Sequence, residues 1–276
     1  MTTIDTTVSV TANSHAFSLT PSRATGLVIL AFLAGFAILG PWLITADPAR
    51  QDLSASLAPI GGDYLLGADH YGRSLLARLA HGARLSFGLA LLAMLAAAVP
   101  GILFGLLAAW RGGIVDRILV MISEMVLALP GLLLVLLLLA FAPGHYVPLF
   151  LGLSLYLWVE FFRVSRAVAA KLLVEPYIEA ARLLGFGPTY ILTRLVLPAI
   201  APILLTLATF AVGTAIIAVS TLSAINVGLQ PPTPELGSMI VELLPYYADA
   251  PLQVLLPGIL IFSLVLGLHL VAGDRA

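Results

Sequence analysis

Apolar positions along this chain gather into six runs, near residues 24–46, 85–109, 118–142, 147–162, 199–222 and 252–272. A bilayer-spanning helix needs about 20 mostly apolar residues, so the pattern predicts an all-α polytopic membrane protein with six transmembrane helices. Polar stretches divide the runs unevenly. Residues 1–23 form a polar tail, 47–84 a long first loop, 85–272 the transmembrane core with a long charged loop at 163–194, and 273–276 a short second tail. Between the third and fourth runs, Pro143, Gly144 and His145 suit a tight reversal. The first run is too long for a cleaved signal and its leader is not simply basic, which predicts an uncleaved anchor.

Composition agrees with this reading. Residues are 61% hydrophobic and 10% charged, where a soluble domain carries about a quarter charged residues. The absence of cysteine excludes a disulfide framework, a thiolate nucleophile and a cysteine metal site. No basic patch is joined to aromatics, so nucleic acid is not an expected partner. The distribution of Lys and Arg sets the orientation. With the N-terminus inside, the inner segments hold Arg23, Arg111, Arg117, Arg163, Arg166, Lys171, Arg182, Arg194 and Arg275. Outside stand only Arg50, Arg73, Arg78 and Arg84, all in the first loop, while 223–251 carries Glu235, Glu242 and Asp249 and no base. Both termini and the 163–194 loop are therefore expected in the cytoplasm.

A charged inner loop of this length suggests a docking surface. Pro176 suits the first turn of a new helix after Glu175, and Gly185 suits the left-handed position that closes it. Gly187 turns the chain, and Pro188 can start a second short helix leading to Pro198. The expectation is a helix–turn–helix elbow along the membrane face. Ala180 and Ala181 offer a small surface for another backbone, and Glu179 and Arg182, three apart, can pair or bind a partner.

Glu179-Ala180-Ala181, three residues, Gly185, nine residues and Leu195-x-Leu197-Pro198 resemble the cytoplasmic signature of permease subunits of binding-protein-dependent ABC importers. Other stretches resemble the dipeptide/oligopeptide/nickel branch, in particular its second, C-type permease. Gly67-Ala68-Asp69-His70-Tyr71-Gly72-Arg73 is similar to GTDxxGRD, and Arg78, Gly82, Arg84 and Ser86 to SRxxxGxRxS. Gly112-Gly113-x-x-Asp116 resembles GGxxD, and Trp158, Arg163 and Arg166 resemble WxxxxRxxR. Leu222-Ser223, Gly228 and Gln230 to Pro234 resemble LSFLGLGVQPPTPSWG. Departures include Leu195 for Ile, Ala68 for Thr, Ser74 for Asp, Ala77 for Ser, Glu124 for Asp and Val219 for an acid.

The resemblance implies half of a translocation pathway in a bacterial inner membrane, for peptides, nickel or metallophore-like solutes. It implies a homologous second permease, two ATP-binding subunits that carry ATP and magnesium, and an extracytoplasmic substrate-binding protein, all around a lipid bilayer. Glu179, Ala180, Ala181, Arg182, Gly185, Leu197 and Pro198 would couple to the ATPase. Asp69, Arg73, Arg78 and Arg84 would offer an outer dock, or satisfy one another in a folded loop. No catalytic residue, cofactor or metal is expected in this chain.

The residues themselves support a separate motor. The single lysine, Lys171, follows Ala170, so no phosphate-cradling GxxxxGK motif exists. One rival is a proton-coupled transporter using Glu124 in the third run, though that residue can instead snorkel or pair with Arg117 or Arg163. Another is an intramembrane protease using Ser154 after Gly152, with His269. At 1.5 Å per residue those side chains lie about 12 Å and about 27 Å below the outer face, too far apart for a nucleophile and its base. The five histidines, His15, His70, His81, His145 and His269, show no ligand spacing. Gly101-x-x-x-Gly105 permits close helix packing, and Gln230 to Pro234 reads as a rigid, extended spacer or outer lip.

Overall fold

A computed structural model describes residues 20–62, 64–142 and 145–272. The tail 1–19, the Pro143-Gly144 pair and the stretch 273–276 lie outside the described residues. Helix α1 (Pro21–Leu43) opens on Thr20, whose side chain accepts from the Arg23 amide, with Pro21 in the first turn where a missing N–H costs nothing. Helix α2 (Leu75–Arg111) is capped by Ser74 and ends at Gly112. After it come α3 (Gly113–Leu127) and α4 (Gly131–Leu139), then α5 (Tyr146–Leu172), α6 (Pro176–Leu183) and α7 (Pro188–Tyr190). A π-turn at Ile191–Val196 joins α7 to α8 (Leu197–Ala224), and α9 (Leu236–Leu243) and α10 (Pro251–Ala272) complete the chain.

Five of these helical stretches are long and apolar enough to cross a membrane, and α3 with α4 makes a sixth only as a pair bent by 74°. The third run is therefore two helices at an angle and not one straight helix. Pro130 stands at the break, where it has no N–H to give and pushes Leu129 out of helical geometry. Helix ends also differ from the hydropathy limits. Helix α2 starts ten residues before position 85, and α5 runs ten residues past 162. Apolarity marks bilayer depth, whereas hydrogen bonding marks helix length, and His81, Arg84, Arg166 and Lys171 are compatible with the second alone.

The long helical rod Pro188–Ala224 contains the π-turn for a similar reason. Pro198 has no N–H, and its ring would strike the Arg194 carbonyl in a regular helix. The chain widens instead, and the Leu197 amide reaches back to Leu192.

Close packing of α2 on α5 is the central contact. A Cβ on Gly101 would stand 2.6 Å from Phe161 Cβ, and one on Gly105 1.9 Å from Ser165 Oγ. The small-residue pair found in the sequence thus packs on α5, where Trp158 stacks on Phe162 with ring centroids 5.6 Å apart. Helix α1 packs on α10 by the same device, Gly26 against the Gly267 carbonyl. Away from these seams Val28, Phe32, Leu39 and Leu43 of α1 are exposed, a continuous apolar face that suits lipid.

Candidate functional site

At one end of the bundle the elbow is built as the spacing predicts. Leu172 ends α5, Pro176 starts α6, and Gly185 closes it with φ +81°. The Gly185 amide donates to Arg182 O at 3.0 Å and the Phe186 amide to Ala181 O at 3.1 Å, the paired bonds of a Schellman stop. Phe186 and Tyr190 stack at 4.4 Å and stiffen the turn into α7. Ile178 and Ala181 are buried and seat α6, while Glu179, Ala180 and Arg182 are exposed. The next residues are strongly apolar and uncovered: Leu183 is 85% exposed and Leu184 76%. Leu197 and Pro198 begin α8 just after the π-turn, the first half-buried and the second exposed.

One detail of this end differs from expectation. Ala180 and Ala181 do not form one small surface, because their directions on the helix differ by about 100° and Ala181 points inward. Glu179 and Arg182 do not pair; the Arg182 guanidinium lies 4.9 Å over the Trp110 ring at the end of α2. Nearby, Arg166 grips Asp116 through both carboxylate oxygens. That pair joins the GGxxD-like and WxxxxRxxR-like stretches and fixes the start of α3 on α5.

At the other end Asp69, Arg73 and Arg78 come together, and with them Glu242 of α9. Asp69 Oδ1 accepts the Tyr71 and Arg73 amides, both at 2.9 Å, and its Oδ2 accepts Arg73 Nε at 2.5 Å. Glu242 Oε2 accepts Arg73 Nη2 at 2.6 Å and Arg78 Nη2 at 3.1 Å. Two cations meet two anions, which is the balance a buried ionic group requires. Asp69, Arg73 and Arg78 are each at most 2% exposed. Of the two readings of these residues, the folded loop in which they satisfy one another describes these three, and of the four only Arg84 is exposed. Gly72 completes the turn with φ +70° because a Cβ there would lie 1.7 Å from Asp52 O. His70 stacks on Tyr246 at 5.1 Å, and burial holds its imidazole below the usual range for histidine.

Sequence reasoning missed Glu235 and Glu242, which it used only to orient the chain. Glu235 is fully buried and caps α9: Oε2 accepts the Gly237 and Ser238 amides at 2.8 and 2.9 Å. Its Oε1 accepts Ser86 Oγ at 3.2 Å and Ser220 Oγ at 3.1 Å, tying α2, α8 and α9. The available signal was the opposition of four arginines in the first loop to unpaired acids in the last. Gln230 to Pro234 is a turn, closed by the Thr233 amide on Gln230 O at 3.2 Å, and not an extended spacer. Proline fixes φ near a value that turns and extended chain share, so φ did not decide between them.

The rival sites do not assemble. Ser154 Oγ donates to Phe150 O at 2.7 Å within its own helix, and His269 stands edge-on to Phe210. Glu124 is exposed and makes no ion pair with Arg117 or Arg163. Among the described residues no three His, Asp or Glu gather as metal ligands.

Among the described residues the chain is a bundle of membrane-length helices with a capped amphipathic elbow between two of them. Residues 101–272 match the family described as binding-protein-dependent transport system inner membrane component, and 21–59 match the N-terminal TM domain of oligopeptide transport permease C. The chain belongs to this ABC importer permease family, in its dipeptide/oligopeptide/nickel branch. It is 33% identical over 255 residues to the di/tripeptide transport system permease protein DppC of Pseudomonas aeruginosa, covering 90% of this chain and 84% of that protein. Identity to the dipeptide transport system permease protein DppC of Haemophilus influenzae is 30% over 256 residues, covering 90% and 86%. The fold is similar to a chain of the MetNI methionine ABC transporter solved in inward-facing conformations, with TM-score 0.54 and 22% identity over 71% of this chain and 93% of that one.

Proposed function

We propose that this chain forms half of the membrane pathway of an ATP-driven peptide importer and is driven through α6 by a separate ATP-binding subunit. The observation that carries the reading is the elbow itself. It presents Glu179, Leu183 and Leu184 outward from a helix whose other face is seated by Ile178 and Ala181 and whose end is locked by Gly185. A helix held so firmly moves as a unit when pushed, while the chain itself has no phosphate-binding loop.

Membership of the family supports a homologous second permease, two ATP-binding subunits holding ATP and magnesium, and a substrate-binding protein on the far side. The charge distribution supports an elbow and both termini in the cytoplasm of a cell with this inner membrane. The peptide names of both relatives favour peptides over nickel or metallophore chelates as cargo. Transport follows alternating access: ATP closes the motor pair, α6 follows it, and the spans reorient. This requires the elbow to bind the two motor states with different affinity.

The test is uptake of a labelled dipeptide into proteoliposomes holding the chain with its second permease, ATP-binding subunits and binding protein. Uptake is expected to require ATP and to fall about tenfold or more with Glu179→Arg, as reversing an interface charge does. ATP-independent uptake, or normal uptake by Glu179→Arg, overturns the reading.

A further inference from the structure

We propose that Arg182 and Trp110 form the contact by which movement of the elbow reaches the membrane helices, so that Arg182 is a positioning residue facing this chain and not a docking residue facing the motor. The inference rests on the importer reading above. Its starting point is a choice the structure makes. On α6, Glu179 lies one turn from Arg182, near enough for an ion pair. Arg182 instead places its guanidinium 4.9 Å above the Trp110 ring. A guanidinium is planar and weakly hydrated, which suits it to an aromatic face. Glu179 is thereby left as the exposed acid of α6, without an ion pair among the described residues. One charge of the helix is turned outward and the other inward.

Where Trp110 sits gives the contact its consequence. It lies in the last turn of α2, and two residues later Gly112 and Gly113 adopt φ +57° and +55°. A Cβ at either glycine would meet nothing within 4 Å, so both are needed for backbone conformation and not for space. The corner between α2 and α3 is thus sharp and sterically open. Beyond it Asp116 is gripped by Arg166 of α5, the helix that leads into the elbow. Helix α3 is the first of the two helices that meet at 74°. A displacement of α6 reaches this corner from two sides, through Arg182 on Trp110 and through α5 on Asp116. Only the first contact is made by the elbow helix itself.

The experiment is a double-mutant cycle in the reconstituted transporter with all its partner subunits, reading dipeptide transported per ATP hydrolysed. Arg182→Met and Trp110→Leu are each expected to lower that ratio about fivefold, and the double variant no further, because both remove one contact. Trp110→Phe keeps an aromatic face and Arg182→Lys keeps a cation, so each is expected to restore most of the ratio. Co-purification of the ATP-binding subunit is expected to persist in Arg182→Met. Thermal unfolding of each variant shows whether it is folded; if Trp110→Leu is not, Arg182→Met against Arg182→Lys decides at an exposed position. An unchanged ratio in Arg182→Met, additive losses, or loss of the ATP-binding subunit from Arg182→Met each overturns the inference. Absence of ATP-dependent uptake by the unaltered transporter would instead refute the importer reading.

Discussion

Glu235 shows how one side chain can hold three helices at the loop end. Its carboxylate accepts two amides of α9 and the hydroxyls of Ser86 and Ser220, and it has no exposure to solvent. Truncation leaves four donors without their acceptor, so Glu235→Ala is expected to cost at least about 2 kcal/mol, read as a lower thermal midpoint in detergent. Glu235→Gln, which keeps one acceptor oxygen, is expected to cost less. His70 sets a pH dependence for the same region. It is flanked by Asp69, Arg73, Arg78 and Glu242, and burial lowers its folded pKa below the free value of 6.5. A base with a depressed folded pKa takes up its proton more readily when the loop opens. The contribution of His70 to loop stability is therefore complete above about pH 6.5 and is lost as pH falls through the lower folded value. Proteolysis of the segment around Asp52 to Arg73 is expected to accelerate from pH 7 to pH 5, and His70→Phe to flatten that rise; an equal pH response in His70→Phe would contradict the assignment.

Among the helices, glycine acts in two distinct ways. Gly101 and Gly105 let α2 lie against α5, where a Cβ would meet Phe161 Cβ or Ser165 Oγ. Gly101→Leu is expected to cost about 3 kcal/mol or more by overpacking, read as loss of monodisperse protein after purification. Gly185 closes α6 in open space, so Gly185→Ala is expected to cost only about 1–2 kcal/mol of backbone strain, with insertion retained. The first pair could be read from its spacing, and Gly185 from its place at a helix end. The bend at Pro130 could not, because Pro100, Pro202 and Pro257 sit within unbroken helices. Proline in a membrane helix does not by itself decide between a kink and a break; neighbouring packing does.

At the scale of the whole chain, the division into spans was legible because the bilayer imposes one length and one polarity on each of them. The elbow was legible because its stops are local: Pro176, Gly185 and Pro188 act within a few residues. The charge cluster was not, since Arg73 and Glu242 are 169 positions apart and only folding brings them together. Nor was the direction of Arg182, whose ring partner lies on another helix. What emerges is a bundle with an ionic cluster buried at one end and an exposed, capped helical elbow at the other.

The most direct measurement uses the absence of cysteine. A single thiol at Leu184→Cys, or at Leu53→Cys in the first loop as a control, is labelled with a maleimide that carries a photoreactive benzophenone, and the assembled transporter is illuminated with and without ATP. The account predicts an adduct between Leu184→Cys and an ATP-binding subunit, at a rate that changes with ATP, and none from Leu53→Cys. Absence of that adduct in an assembled, transporting complex, or its formation from Leu53→Cys instead, would contradict it.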